Sequence, residues 1–148
     1  MKKKSKKTAA TIPLKKLAIE SDGYHLMAII IINRKKAKVI VDTGASRTVF
    51  DKERIKHFVK AKSTVIKDKL STGLGTNSMK SHQLLIRSLQ LGKIKVKDYP
   101  TVLLDLSHVN HSYTQLGMDA VDGVLGSDLM HRFNAVIDFK KNEMKLRG

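Results

Sequence analysis

Short apolar runs separated by turn residues recur along this chain. The stretch "TIPLKKLAIES" (11–21) predicts a first strand, and Asp22-Gly23 after it is a hairpin signal. "YHLMAIIIIN" predicts a second strand, turned by "RKK", and "AKVIVD" predicts a third. From Val39 to Val41 the apolar residues do not alternate with polar ones, which is the pattern of a strand covered on both faces.

Further along, "DKERIKHFVK" (51–60) predicts a short helical turn. "STVIKDKLS" and "MKSHQLLIRSLQL" predict two long strands joined by "TGLGTNS", a tip rich in Gly, Thr, Asn and Ser. After the turn at Gly92-Lys93, "IKVKDYPTVLLDL" predicts another strand, with Pro100 at an edge or a break. "SHVNHSYTQLGMDA" shows no helical period and is expected to be irregular. "VDGVLG" predicts a short strand, and "SDLMHRF" one or two helical turns capped by Ser127 or Asp128. A closing hairpin over 134–147 completes the pattern. Many short strands with regular turn signals predict a mostly β barrel or sandwich with one short C-terminal helix.

Composition sharpens this picture in three ways. The 148 residues suit one domain, read as 11–148 behind a flexible basic tail at 1–10. Hydrophobic residues make up 41% but aromatics only 5%, with no Trp, so the core must be aliphatic. The absence of cysteine excludes disulfides, thiolate metal sites and cysteine nucleophiles.

Net charge is +16, and the first sixteen residues hold seven lysines and no acid. The remainder carries 22 basic against 13 acidic residues, so the body is basic as well. Such a field favours acidic partners, and the tail is suited to weak electrostatic contact with nucleic acid. Seven aromatic Tyr and Phe residues offer little stacking surface, and no nucleic-acid-binding motif accompanies the charge. The first long apolar run, "LMAIIII" (26–32), is too short to span a bilayer and reads as a strand. With no export signal visible, the expectation is a cytoplasmic protein.

The candidate chemistry lies in "VIVDTGASRTVF" (39–50). A carboxylate at the end of an apolar strand is costly unless hydrogen bonds or a charge partner compensate. The small residues Thr43, Gly44, Ala45 and Ser46 let backbone N–H groups approach Asp42, and two of them offer hydroxyls to lock the turn. About eighty residues later, Val124-Leu125-Gly126 opens the short helix. His108 and His111, with Asp105 before them, have a spacing that would suit a metal on a helix, but the segment reads as a solvated loop. No Gly-x-Ser-x-Gly arrangement supports serine hydrolase chemistry.

The Asp-Thr-Gly turn, the glycine-rich hairpin tip and the apolar-apolar-glycine triplet, in this order, resemble the retropepsin-like aspartic proteases. The bacterial members and the retroviral-protease-like domain of ubiquitin-shuttle proteins are the most similar branches, over roughly Tyr24 to Leu146. The resemblance implies an acid-protease half-barrel and casts Asp42 as the catalytic aspartate. Thr43 would brace the active-site loops across two subunits, and Gly44 would allow their close approach. Thr72, Gly73, Leu74, Gly75 and Thr76 would form a flap over substrate. Val124, Leu125 and Gly126 would thread past the Asp42 loop. Retroviral enzymes often carry an arginine after this triplet, where this chain has Ser127 and Asp128.

Aspartic proteolysis needs two carboxylates sharing one proton, a general property of this dyad, and no metal or cofactor. Asp122 and Asp128 lack the Asp-Thr/Ser-Gly turn, so the chain reads as half an enzyme. A two-fold homodimer would set Asp42 opposite its own copy over an extended peptide substrate. Two other readings stand beside an endopeptidase: a catalytically weak or silent dimeric peptide-binding module of the same fold, and a basic nucleic-acid-associated protein.

Overall fold

The computed structural model describes residues 8–19, 22–60, 64–66 and 81–148. Its strands are β1 (Ala9–Ala18), β2 (Tyr24–Ile32), β3 (Lys35–Val41), β4 (Val49–Asp51), β5 (Thr64–Ile66), β6 (Ser81–Leu91), β7 (Ile94–Leu104), β8 (Gly123–Leu125), β9 (Val136–Asp138) and β10 (Glu143–Arg147). Two helices, α1 (Ser107–Gln115) and α2 (Ser127–Arg132), accompany a 3-10 turn at Arg54–His57. The strands join in the order β5-β6-β7-β4-β8-β3-β2-β1-β10-β9, and a further β6–β2 pairing closes six of them into a barrel. Two pairs, Ile31 with Gln90 and Ile32 with Leu89, make that closure.

β1 lies outside this ring and changes partner halfway along its length. Leu14 to Ala18 pair with β2, whereas Ala9 to Pro13 pair with β10. Ala10, Ile12 and Leu14 alternate onto the face that packs in the main core, whereas Leu17, three positions on and therefore on the other face, packs in a second, smaller cluster. The strand begins two residues before the expected position, and Ala10 is buried, so the folded body takes up the end of the stretch read as tail.

The unalternated run in β3 has the reason its pattern implied. Val39 and Val41 pack on the aliphatic barrel core, while Ile40 faces a second, smaller cluster of Leu17, Tyr113 and Val121. β3 is covered on both faces, and it lies parallel to β8 with Val39, Ile40 and Val41 beside Gly123, Val124 and Leu125.

β6 and β7 each change phase once. Buried Leu84 and Ile86 give way to Leu89 and Leu91, and buried Tyr99 and Thr101 to Ile94 and Val96. The two slips lie opposite each other, around Arg87-Ser88 and Lys97-Asp98, so the pairing register is unbroken. Asp98 has φ 52° at this point. Asn33 of the β2–β3 turn clamps the slip, its N–H donating to the Ser88 carbonyl at 2.9 Å. Pro100 falls where β7 pairs only with β6, since β4 joins from Val102 onward.

Helix α1 corrects the expectation of an irregular segment. Its inward stripe is Leu106, Asn110 and Tyr113, spaced as on a helix face, but the middle position is polar. Asn110 donates to the Val121 carbonyl at 3.1 Å and accepts the Val121 N–H at 2.7 Å. A side chain pairing with backbone stands where a hydrophobic residue would have revealed the period. At the start of α1, Asp51 accepts the Leu106 N–H at 2.8 Å. His108 and His111 are exposed on this helix, and among the described residues no cluster of metal-ligating side chains forms. No helix among the described residues is long and apolar enough to cross a membrane.

Candidate active site

Asp42 is fixed by its backbone and by one carboxylate oxygen. Its N–H donates to the Leu125 carbonyl at 3.0 Å, and its carbonyl accepts the Ala45 N–H at 3.2 Å. Oδ1 accepts the Gly44 N–H at 2.9 Å. A Cβ on Gly44 would lie 3.3 Å from that same oxygen, so a side chain here would crowd the carboxylate, while the backbone of Gly44 is not left-handed.

The surroundings of Asp42 differ from the buried setting its strand suggested. Asp42, Thr43 and Gly44 are exposed, because the apolar run ends at Val41 and the chain emerges at the rim. The hydroxyls expected to lock the turn were those of Thr43 and Ser46. The one that does is Thr48, two residues beyond, completely buried.

Thr48 ties the loop to α2. Its Oγ1 donates to Asp128 Oδ1 at 2.8 Å and accepts the Gly126 N–H at 2.9 Å. Its own N–H reaches Asp128 Oδ1 at 2.9 Å, and Thr101 donates to its carbonyl at 3.2 Å. Tyr99 donates to the other oxygen of Asp128. Burial, then the hydrogen bond to Asp128 and that carboxylate's negative charge, hold the Tyr99 hydroxyl well above its ordinary pKa. Neither Ser127 nor Asp128 caps α2, as the sequence suggested, because Gly126 occupies the cap and the Asp128 carboxylate is engaged with Thr48 and Tyr99.

Val124, Leu125 and Gly126 do pass beside the Asp42 loop. The Ser127 N–H donates to the Ala45 carbonyl at 2.7 Å. A Cβ on Gly126 would meet the Arg47 carbonyl carbon at 2.5 Å and its oxygen at 2.6 Å. Two segments about eighty residues apart are thereby pressed backbone to backbone.

The other carboxylates near this layer are occupied. Asp122 accepts the Lys38 N–H and the Arg54 guanidinium, each at 2.8 Å. Asp51 accepts the Leu106 N–H and, at 2.9 Å, the Arg54 N–H. Together with Asp128 they serve the fold. Asp42 differs from them in presenting an exposed carboxylate held only by the turn.

A groove of about 480 Å³ opens beside Asp42 and Thr43. Leu26, Ile40 and Val124 contribute from the barrel, Val109 and Tyr113 from α1, and Phe139 from the turn just after β9. The Tyr113 hydroxyl is 2.7 Å from His25 Nδ1. Burial and, after it, the Asp42 charge raise the Tyr113 pKa. Thr43 also borders a second hollow of about 320 Å³ with Met130 and Ile137.

Asp42, Thr43, Gly44, Ala45, Val124, Leu125 and Gly126 are thus gathered in one layer. The hairpin tip Thr72, Gly73, Leu74, Gly75 and Thr76 lies outside the described residues. Sequence reading missed His25, Thr48, Tyr99 and Tyr113. Thr48 had a detectable signal, a polar residue two places before the apolar Phe50 of β4, whereas His25 and Tyr113 are 88 residues apart and meet only in the fold.

A family model described as "Aspartyl protease" matches residues 28–129. Among solved structures, the chain is similar to a retropepsin-like aspartic protease from Rickettsia conorii, with a TM-score of 0.60 and 23% identity over 99% of this chain and 97% of that one. It is also similar to the retroviral protease-like domain of Ddi1 from Leishmania major, with a TM-score of 0.52 and 17% identity over 82% of this chain and 87% of that one. No curated protein matches the chain.

Proposed function

Since the chain belongs to the aspartyl protease family and has the retropepsin-like fold, we propose that it is an aspartic endopeptidase that works as a homodimer, with Asp42 of each copy forming the dyad. The observation that carries this reading is the contrast among carboxylates. Asp51, Asp122 and Asp128 are each held by internal donors, while Asp42 is exposed on a rigid turn at the mouth of an apolar groove. Among the described residues one chain offers one such group, and a two-fold axis near Thr43 supplies the second.

In the assembled pair one Asp42 is ionised and the other protonated, because two negative charges at hydrogen-bond range cannot coexist. The ionised carboxylate takes a proton from water as its oxygen attacks the peptide carbonyl. The protonated one donates to the carbonyl oxygen. Collapse of the tetrahedral intermediate breaks the C–N bond and delivers a proton to the leaving amine. The Gly44 N–H keeps one oxygen of Asp42 oriented. The Thr43 hydroxyl, without a hydrogen bond among the described residues, is available to brace the loop of the other copy.

The same dimer has a natural site for contact. β9 is the last strand in the sheet order, and Val136 and Phe139 are 60% and 61% exposed there.

Cleavage of a randomised peptide mixture by the parent protein and by Asp42→Asn, with sedimentation of both, tests the proposal. The expected result is cleavage by a parent dimer and at least about a thousandfold loss in the variant, a range typical of losing an essential catalytic group. Equal cleavage by both proteins, or cleavage by a strict monomer, refutes the dyad. Peptide binding without cleavage by either points instead to a silent peptide-binding module.

A further inference from the structure

A second hollow, of about 530 Å³, opens at the far end of β3 from Asp42. Lys36 and Lys38 of β3 line it with Arg54 and His57 of the 3-10 turn, and Asp119 and Asp122 lie beside them. The two turns that build it are fastened to each other. The Asn33 side-chain amide donates to the Phe58 carbonyl at 3.0 Å, and Lys35 Nζ donates to the His57 carbonyl at 2.8 Å. The β2–β3 turn is thereby held against the 3-10 turn, and cations from both converge without further ordering.

Arg54 is aimed by a buried carboxylate. Its Nε donates to Asp122 Oδ1 at 2.8 Å, while Asp122 Oδ2 is occupied by the Lys38 N–H. The Nη1–Nη2 edge of the guanidinium has no hydrogen-bond partner among the described residues, and the side chain is 38% exposed. That edge is a pair of parallel donors, the shape that grips a carboxylate with two bonds. Lys36 is exposed, without an ion pair among the described residues, and two positions from Lys38 on the same strand face. Lys38 is bound at 2.6 Å to Asp119, whose side chain is exposed, so water and a competing carboxylate can both displace that pair.

The chemistry favours a single carboxylate over a run of phosphates. Asp119 and Asp122 interrupt the cations, so a nucleic-acid backbone would meet negative charge as well as positive. The wall also offers little ring surface for a base to stack on, because Phe58 is half-buried.

We propose that this hollow is an exosite that captures an acidic side chain of a substrate protein, with Arg54 supplying the paired donors and Lys36 a second charge. Its use in cleavage rests on the reading of Asp42 as the catalytic group, whereas the capture of a carboxylate does not. Lys36, Lys38, Ile40 and Asp42 occupy alternate positions on one face of the extended chain, which sets Lys36 about 20 Å from Asp42. Ile40, Tyr113 and Val121 pack between the two ends. A substrate must pass around α1, so the captured residue lies about eight positions or more from the cleaved bond.

Binding of a fluorescent octaglutamate peptide is compared among the parent, Lys36→Glu, Arg54→Lys and Lys93→Glu. The last makes the same charge change as the first at the exposed β6–β7 turn, outside the hollow. The lysines before Thr8 add a background common to all four proteins. Octaglutamine and an oligothymidylate of equal length are the comparison probes, and circular dichroism checks each fold. The parent should bind octaglutamate and not octaglutamine. Lys36→Glu should weaken that binding about tenfold, a charge reversal beside the bound group. Arg54→Lys should weaken it about threefold or more, since an ammonium keeps the charge and loses the fork. Lys93→Glu should change it by less than about twofold. In cleavage, a peptide extended by a linker and an acidic end should show a lower KM with little change in kcat, and Lys36→Glu should abolish that gain.

Equal losses in Lys36→Glu and Lys93→Glu reveal only the general field and overturn the exosite. Cleavage by the parent, with octaglutamate binding unaltered in Lys36→Glu and Arg54→Lys, overturns the exosite while leaving the peptidase intact. Octaglutamate binding that both variants weaken, without cleavage of any peptide, overturns the peptidase reading and keeps the hollow. Tighter binding of the oligothymidylate, lost in the same variants, overturns the assignment in favour of nucleic acid.

Discussion

The Thr48 hydroxyl donates to Asp128 at 2.8 Å and accepts the Gly126 N–H at 2.9 Å, so one buried side chain joins the Asp42 loop to the start of α2. Thr48→Val removes both bonds and leaves a buried N–H and a carboxylate oxygen short of partners. The expected cost is about 2–4 kcal/mol, with Thr48→Ser close to the parent. Urea unfolding of the three proteins measures it.

Gly126 tolerates nothing larger. An added methyl would lie against the Arg47 backbone, which cannot move aside as a flexible side chain would. Gly126→Ala should destabilise the fold by about 2 kcal/mol or more. Gly23→Ala, where no heavy atom lies within 4 Å of the new carbon, should change stability by less than about 0.5 kcal/mol. Thermal denaturation of the pair separates the two cases.

Tyr99 makes stability sensitive to alkali. Its folded pKa is raised above the ordinary 10.0, so the folded state holds the phenolic proton more tightly than the unfolded chain. That contribution is fully present below about pH 10 and is lost as pH rises towards the folded value. In Tyr99→Phe the alkaline decline should be shallower, although stability at neutral pH falls by about 1–2 kcal/mol with the lost hydrogen bond. Denaturant midpoints at pH 8, 9, 10 and 11 compare the two proteins.

Val136 bears on assembly. Val136→Lys places a charge where the proposed dimer excludes water, on a residue largely exposed in the single chain and outside the groove beside Asp42. Sedimentation should shift towards monomer, and peptidase activity should fall with the dimer fraction. Circular dichroism should remain that of the parent.

Much of the fold is legible along the chain because its signals are local. The unalternated Val39–Val41 run marks a strand covered on both faces, and the Gly92-Lys93 turn separates two paired strands as its sequence suggests. The candidate site is half legible. Asp42, Gly44 and Gly126 stand out because a small residue beside a carboxylate or in an apolar run is conspicuous. The restraints on them do not stand out. Asn110 hides a helix by pairing with Val121, and Asp128 looks like a cap but turns to Thr48 and Tyr99. These roles depend on partners that only tertiary contact brings near. Exposure of Asp42 is likewise a property of where β3 ends relative to the barrel rim.

The opposed slips in β6 and β7 bear on how this hairpin can change over generations. Deleting one residue from either strand would reverse every side chain on one side of the lesion, sending Leu89 and Leu91, or Ile94 and Val96, towards water. A matching deletion across the ladder, near Arg87-Ser88 and Lys97-Asp98 together, would restore the inward set. Length variation in this part of the barrel should therefore be inherited in coupled pairs, with Asn33 of the neighbouring turn following the position of the break.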